Sequence, residues 1–201
     1  MIHADRRFSS AVESAVEALE RRTDAEVVVV ASERAEDYRD IAIGAGAFAA
    51  FLVFVALLLL PWPVPPLFAI ADVVTVFFLV TWGMTGSPLC ARLAGARRRE
   101  EAVRRAAAAE FHLEAVHGTP RRTGLLVFVS GWEKKVELIP DVGLEARIPR
   151  ALWAKAMDAF SGDSLDGFLK GLEATGDLLA EHVPRTEGQR VDLANAPRIR
   201  T

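Results

Sequence analysis

One stretch of the chain decides what it can fold into. Residues 41 to 86 contain a single charged side chain, Asp72, in a chain of 201 residues with 24 Lys and Arg and 27 Asp and Glu. Residues 41 to 60 are uncharged, and a helix of that length crosses the roughly 30 Å hydrocarbon layer of a bilayer. The proline-rich residues 61 to 66 cannot continue a helix, and residues 67 to 86 offer a second crossing. The sequence therefore predicts a transmembrane helical hairpin.

Basic residues flank this hairpin and are absent from its loop. Arg34 and Arg39 precede the first span, and six arginines follow the second span between residues 92 and 105. Flanking segments rich in Lys and Arg stay on the cytoplasmic side. We therefore expect a multi-pass protein of the plasma (inner) membrane whose soluble domain and both termini are cytoplasmic, with the lipid bilayer as its first partner. The pattern is not that of a cleaved signal peptide, and Cys90, the single cysteine, fits a reducing compartment.

The segments on either side of the hairpin have the patterns of an α/β protein. Apolar residues at helical spacing between residues 8 and 19 predict an opening helix. The run EVVVVA at residues 26 to 31 is typical of a strand that is buried on both faces. Residues 92 to 117 predict a long helix, and residues 125 to 130 and 135 to 140 predict two strands joined as a hairpin.

The remaining elements complete a small sandwich. Residues 149 to 160 carry an apolar helical face, and Ser164 is the expected N-cap of a last helix. One strand before the membrane hairpin needs partners from the strands after it. We therefore predict one discontinuous α/β domain over residues 1 to 40 and 87 to 183, in which helices flank a small mixed β-sheet of three to four strands interrupted by the hairpin. Residues 184 to 201 are expected to be disordered.

Several short motifs, in order along the chain, resemble those of the TPM domain family. They are TDAEVVVV at 23 to 30, EDY at 36 to 38, GLLVFV at 124 to 129, EKKVELI at 133 to 139, GLE at 143 to 145 and GDSLDGF at 162 to 168. The family is named after a thylakoid lumen protein, a photosystem repair factor and a modulator of a nematode acetylcholine receptor. The resemblance implies a compact α/β sandwich that works next to a membrane and assists or modulates membrane complexes. A phosphatase activity has been attributed to the family, and some members look like calcium binders through an acidic cluster at the sheet edge.

The chain departs from the family at this acidic cluster. Arg122-Thr123 stands where members usually carry an acidic or amide residue, and Arg150 replaces an acid that often follows Pro149. A hard divalent cation needs several converging oxygen ligands. We therefore expect no cofactor, and a bound Ca²⁺ or Mg²⁺ ion is the alternative.

Asp141 and Glu145 are the candidate catalytic residues. They lie on one turn at the end of a predicted strand, where a side chain can project beside the sheet edge. In the alternative, Asp141 caps the turn through its own backbone and Glu145 is solvated. Phosphoryl chemistry also needs charge stabilisation by arginine, lysine or a metal. Four arginines either gather near this turn or form a solvated rim: Arg121, Arg122, Arg147 and Arg150.

Trp132 and Glu133 are the candidate partner-binding residues. They stand at the tip of the predicted strand hairpin. A tryptophan exposed on a turn lowers solubility unless it packs on something. The ring therefore either contacts a partner or lipid, or folds back on its own sheet.

These observations leave three hypotheses about function. A net charge of −3 gives no reason to expect nucleic acid. The first hypothesis is a membrane-anchored, non-enzymatic TPM-like protein that acts as an assembly or regulatory partner of an unidentified membrane protein complex. The alternative is a weak metal-assisted phosphatase that uses the acidic turn. A third is a homo-oligomer held together through the hairpin.

Overall fold

The computed structural model describes residues 6–61, 64–161, 164–186 and 197–200. In chain order its elements are α1 (Arg6–Glu20), β1 (Glu26–Ser32), α2 (Arg39–Leu59), α3 (Pro66–Met84), α4 (Pro88–Leu93), α5 (Ala96–Leu113), β2 (Gly124–Ser130), β3 (Lys135–Pro140), α6 (Val142–Glu145), α7 (Arg150–Asp158), α8 (Leu165–His182) and β4 (Arg198–Arg200). A 3₁₀ turn, Val116–Gly118, precedes β2. The chain divides into two compact units: residues 1–36 with 100–201, called here the sheet unit, and residues 37–99, called here the hairpin unit.

The sheet unit is built on a four-stranded mixed sheet in the order β3-β2-β1-β4. β1 runs parallel to β2, with Glu26 opposite Gly124 and Ser32 opposite Ser130. β4 is also parallel to β1, whereas β3 is antiparallel to β2. Every residue of β2 and the five central residues of β1 are buried, as expected for apolar strands covered on both faces. The predicted mixed sheet is therefore confirmed.

Helices cover both faces of this sheet, because alternate residues of a strand point to opposite sides. Val27 and Val29 pack into the larger core with residues of α1, α7 and α8. Val28 and Val30 pack into a smaller core with residues of α5. The result is a three-layer arrangement that confirms the predicted α/β sandwich.

The prediction of a disordered tail over residues 184 to 201 is wrong for Arg198–Arg200. These residues form β4, in which Arg198 pairs with Val30, and Pro184 forms an antiparallel bridge with Thr23. β4 was not predicted because backbone pairing and the ion pairs of Arg198 and Arg200 hold it in place, and hydrophobic periodicity does not report such contacts. Residues 187–196 and 201 lie outside the described residues.

The single helix predicted over residues 92 to 117 is divided in the structure into the end of α4, α5 and the 3₁₀ turn. Gly95 has a φ of 80° between α4 and α5, a left-handed conformation that glycine adopts at little cost. Ala115 also has a positive φ, of 51°, where α5 gives way to the 3₁₀ turn. Left-handed residues end α-helices, so apolar spacing alone overestimated the length of this helix.

Two helices of the hairpin unit are long and apolar enough to span a membrane. They are α2, with a mean hydropathy of 2.6, and α3, with a mean hydropathy of 2.0. They begin and end within two residues of the predicted spans, 41 to 60 and 67 to 86. Large apolar side chains on both helices are exposed, among them Phe48, Phe51, Phe68, Phe78 and Trp82.

Small residues on one face of α2 bring it close to α3. Ala42, Gly46 and Ala50 are the buried residues of α2. A Cβ atom on Gly46 would lie 2.1 Å from Thr81 Oγ1 and 2.8 Å from the Phe77 carbonyl oxygen. Small residues at such spacing let two helix backbones approach in an apolar environment, so the two helices pack closely at Gly46.

We expect Gly46→Leu to destabilise the hairpin by about 1 to 3 kcal/mol, because the new side chain must displace α3 backbone. The measurement is the thermal unfolding of the full chain in detergent micelles. Gly44→Leu is the matched control, since a Cβ atom on Gly44 meets nothing within 4 Å. Equal unfolding temperatures for the two variants would contradict the packing described here.

Candidate functional site

The acidic turn lies where β3 ends and α6 begins. The backbone N–H of Asp141 donates to the Gly124 carbonyl at 2.8 Å, which continues the β2–β3 ladder by one bond. The side chain of Asp141 then caps α6, because its Oδ1 accepts from the Val142 N–H at 2.8 Å. An aspartate at this position satisfies a helix N–H group that has no partner within the helix.

An arginine fork holds the same carboxylate. Arg122 Nε donates to Asp141 Oδ2 at 2.7 Å, and Arg122 Nη2 donates to Asp141 Oδ1 at 2.9 Å. The two turns are also joined through their backbones, because the Gly143 N–H donates to the Arg122 carbonyl at 2.9 Å. A Cβ atom on Gly143 would lie 2.5 Å from that carbonyl oxygen, so this close approach requires glycine.

The environment of Asp141 favours its ionised form. The side chain is almost fully buried, at 2% exposure, and burial alone raises the pKa of a carboxyl group. The hydrogen bonds from Arg122 and from the Val142 N–H, together with the charge of Arg122, outweigh burial and hold the pKa of Asp141 below its usual value. The same bond raises the pKa of Arg122. Asp141 is therefore an anion whose two oxygens are both engaged by donors of the chain itself.

A second acid–arginine pair lies beside the start of β1. Arg121 Nη1 donates to Asp24 Oδ2 at 2.8 Å, and the Thr186 N–H donates to Asp24 Oδ1 at 2.9 Å. The Asp24 carboxylate also accepts from the Thr186 hydroxyl. Burial raises the pKa of Asp24, but the hydrogen bonds from Thr186 and the charge of Arg121 produce a net lowering. Arg121 and Arg122, adjacent in sequence, thus hold two different acids.

The structure brings together only part of the predicted catalytic set. Asp141 and Arg122 are in contact, whereas Arg121 turns to Asp24. Glu145, Arg147 and Arg150 are exposed. Glu145 meets Asp141 through the backbone, where its N–H donates to the Asp141 carbonyl at 3.0 Å. The geometry matches the alternative in which Asp141 caps the turn.

The residues at this turn do not fit a divalent cation. The Asp141 oxygens that would ligate a cation already accept from a guanidinium group, which carries the same sign of charge as the ion. Calcium and magnesium need several oxygen ligands directed at one point. Within the described part of the chain, no three His, Cys, Asp or Glu side chains are placed to hold a metal ion.

The two candidate partner-binding residues are buried. Trp132 is 8% exposed and Glu133 is 1% exposed. The backbone N–H of Trp132 donates to the Glu33 carbonyl at 2.9 Å. The Arg34 guanidinium lies 5.5 Å from the centre of the Trp132 ring. The ring therefore folds back on its own unit, which was the second of the two sequence-based alternatives.

The Glu133 carboxylate is held by hydrogen bonds from the chain itself. It accepts from the Ala35 N–H at 3.2 Å and from the Ser130 hydroxyl. A buried carboxylate is expected to have such donors, because leaving it unpaired is costly. Glu133 thereby connects the β2–β3 turn to Ala35, in the segment that follows β1.

A charged cluster that the sequence analysis did not predict lies at the β4 edge of the sheet. Arg198 Nε lies 3.0 Å from Glu114 Oε2, and Arg200 Nη2 lies 2.6 Å from Glu114 Oε1 and 3.1 Å from Glu110 Oε2. Two patterns in the sequence could have indicated it. Glu110 and Glu114 are four residues apart on a predicted helix, and Arg198 and Arg200 alternate as strand residues do.

The comparisons with known proteins identify a fold. No protein-family model matches the chain, and no curated protein does either. The structure is similar to the NMR structure of the BA42 protein from the psychrophilic bacterium Bizionia argentinensis, with a TM-score of 0.57 and 14% sequence identity. The match covers 97% of this chain and 94% of that chain. The two proteins share a fold.

We expect Asp141→Ala to lower the free energy of unfolding by about 1 to 2 kcal/mol, because α6 loses its cap and Arg122 loses its partner. Asp141→Asn should cost less, since asparagine also caps helices. The measurement is urea unfolding of the full chain in micelles, followed by tryptophan fluorescence. Glu145→Gln, a change at an exposed position, is the control and should stay within about 0.5 kcal/mol. A cost for Glu145→Gln equal to that of Asp141→Ala would contradict this assignment.

The effect of Asp141→Asn on the free energy of unfolding should depend on pH. The lowered pKa of Asp141 determines the direction of that dependence. A carboxylate with a folded pKa below its unfolded value stabilises the fold above the unfolded pKa, near about 4, and loses that contribution as the pH falls through the folded value. The stability difference between the parent chain and Asp141→Asn should therefore shrink as the pH is lowered below about 4. A constant difference would show that the charge of Asp141 does not contribute.

Proposed function

We propose that the chain is a membrane-anchored, TPM-like α/β protein that acts without catalysis, as an assembly or regulatory partner of a membrane protein complex. The observation that carries this proposal is the insertion of an apolar helical hairpin inside a domain whose central strands lie on both sides of it in sequence. A linker between two domains would leave each domain complete by itself. Here β1 precedes the hairpin and its partner β2 follows it, so the hairpin is an insertion within one domain.

The bilayer is the proposed first partner of the hairpin unit. The outward side chains of α2 and α3 are large and apolar, and a surface of this kind is stable in lipid or against another membrane protein. The arginine-rich segments before and after the hairpin favour a plasma (inner) membrane protein with its soluble domain and termini in the cytoplasm. The positive-inside tendency of flanking residues supports this orientation.

The surroundings of the acidic turn support a non-enzymatic protein over the phosphatase alternative. A nucleophile or general base needs a carboxylate oxygen directed at the substrate. Both oxygens of Asp141 instead accept from Arg122, and Oδ1 also accepts from Val142. The proposal accordingly assigns no cofactor to the turn.

The proposed orientation predicts which positions react with a membrane-impermeant maleimide. In a chain with Cys90→Ala, a cysteine at Pro61, in the loop between the spans, should be labelled in intact cells. A cysteine at Arg147, an exposed residue of the sheet unit, should be labelled only after the cells are opened. Labelling in the reverse order would overturn the cytoplasmic placement.

The proposed role predicts cross-links from the outer faces of the hairpin. A photoreactive amino acid at Phe48 or Phe78, which are exposed, should join the full chain to a membrane protein of distinct mass in its native membrane. The same group at the buried Ala50 should react within the chain and serves as the control. An adduct of twice the chain's mass would favour the homo-oligomer, and adducts with lipid alone would overturn the proposed role.

The purified chain should also show no phosphatase turnover above a blank, with or without Ca²⁺ or Mg²⁺. Turnover that disappears in both Asp141→Asn and Glu145→Gln, in chains that remain folded, would replace the proposed role with the phosphatase alternative.

A further inference from the structure

We propose that the edge of β1 that faces away from β2 is a docking site for an extended protein segment with arginine at alternate positions. The C-terminal tail of the chain occupies this site as an internal competitor. The inference deepens the proposed function, on which it rests, because it states the chemistry by which a partner protein is recognised.

The backbone of β1 supplies the first part of this site. β4 lies parallel to β1 with Val30 opposite Arg198 and Ser32 opposite Arg200. The pairing continues beyond β1, where the Glu33 N–H donates to the Arg200 carbonyl at 3.0 Å. Strand addition to a sheet edge gives affinity through main-chain hydrogen bonds that depend little on sequence. Any extended segment can therefore use this part of the site.

Two acids on α5 supply the specificity. Glu110 and Glu114 lie four residues apart, so that like charges are neighbours on one helix face, an arrangement that is unfavourable by itself. Both side chains are only 14% exposed, which limits screening by solvent and salt. Arg200 contacts both acids and Arg198 contacts Glu114. The acids are thus stabilised when a pair of arginines lies on the strand beside them.

The spacing of the arginines follows from strand geometry. Side chains two apart on a strand point to the same side, so Arg198 and Arg200 both reach α5. Ile199, between them, is 44% exposed and contributes little to recognition. The site therefore selects an Arg-x-Arg pattern in which the middle residue is free to vary.

The size of β4 makes the tail replaceable. β4 has three residues, whereas β1 has seven, and the described pairing covers Val30 to Ser32. Its occupancy depends on being tethered to the same chain, which gives it a high effective concentration.

The test uses the full chain in nonionic detergent and a fluorescent peptide with the sequence of residues 194 to 201, with binding followed by anisotropy. The peptide should bind about tenfold more tightly to Arg198→Gln/Arg200→Gln, whose tail has lost its ion pairs and competes more weakly, than to the parent chain. Adding Glu110→Gln/Glu114→Gln to that variant should weaken binding by about tenfold. A peptide in which both arginines are glutamine is the matched control and should bind the chain with Arg198→Gln/Arg200→Gln more weakly than the arginine peptide does. Equal affinity of the arginine peptide for all three chains would overturn the proposal.

A charge reversal keeps the test decisive if the glutamine variants fail to fold. The chain with Glu110→Arg/Glu114→Arg, which keeps Arg198 and Arg200 and therefore repels its own tail, should bind a peptide with glutamate at both arginine positions and should reject the original peptide. Failure of this preference in a folded chain overturns the docking site.

The peptide assay and the cross-linking experiment separate the two proposals. A cross-linked membrane protein without peptide binding overturns the docking site and leaves the proposed function standing. Peptide binding without any cross-linked protein supports the docking site and removes the membrane-complex role.

Discussion

The parallel ladder between β1 and β2 is the interaction on which the sheet unit depends. It pairs the strand before the hairpin with a strand after it, from Glu26 opposite Gly124 to Ser32 opposite Ser130. Alternate residues of these two strands contribute to both cores, so each helical layer packs on the same pair. Removing the ladder would leave both layers without a common surface, because apolar burial is the main stabilising term of such a sandwich.

Charged residues form hydrogen bonds at both ends of this strand pair. Before the strands begin, Arg121 and Arg122 hold Asp24 and Asp141. Beyond their other ends, the carboxylate of Glu133 accepts from the Ala35 N–H. Hydrogen bonds to a charged group are stronger than bonds between neutral groups. The bonds of Asp24 and Glu133 join segments that are far apart in sequence, whereas Arg122 and Asp141 lie at the two ends of the β2–β3 hairpin. Residues that the motifs suggested for chemistry or partner binding thus serve, in this fold, to fix register and connection.

Some features could be predicted from the sequence because their cause is local. The hairpin follows from an uncharged run and the buried strands from a β-branched run, since burial on all sides excludes charge at successive positions. The cap at Ser164 also follows from its own neighbours, and its Oγ accepts from the Gly167 N–H. Each signal lies within the segment that it describes.

Other features could not be predicted because their partners come from elsewhere in the chain. The role of Asp141 depends on Arg122, which belongs to the turn before β2 and has a positive φ of 56°. The burial of Trp132 depends on Glu33 and Arg34, on the far side of the hairpin in sequence. β4 depends on the edge of β1 and on acids of α5. The first two contacts leave no periodicity in the segment itself, which is what sequence reading detects, and the alternating arginines of β4 do not by themselves identify their partners.

The position of the hairpin between β1 and β2 has a consequence for synthesis. β1 emerges from the ribosome before the spans and has no parallel partner until β2 has been made. An apolar, β-branched strand in that state is prone to aggregate. In the proposed topology the hairpin crosses the bilayer twice and returns the chain to the side it left, which shortens the effective loop that the sheet must close. In that topology, membrane insertion of the hairpin is a folding step for the sheet, and a delay in insertion prolongs the time for which β1 is unprotected.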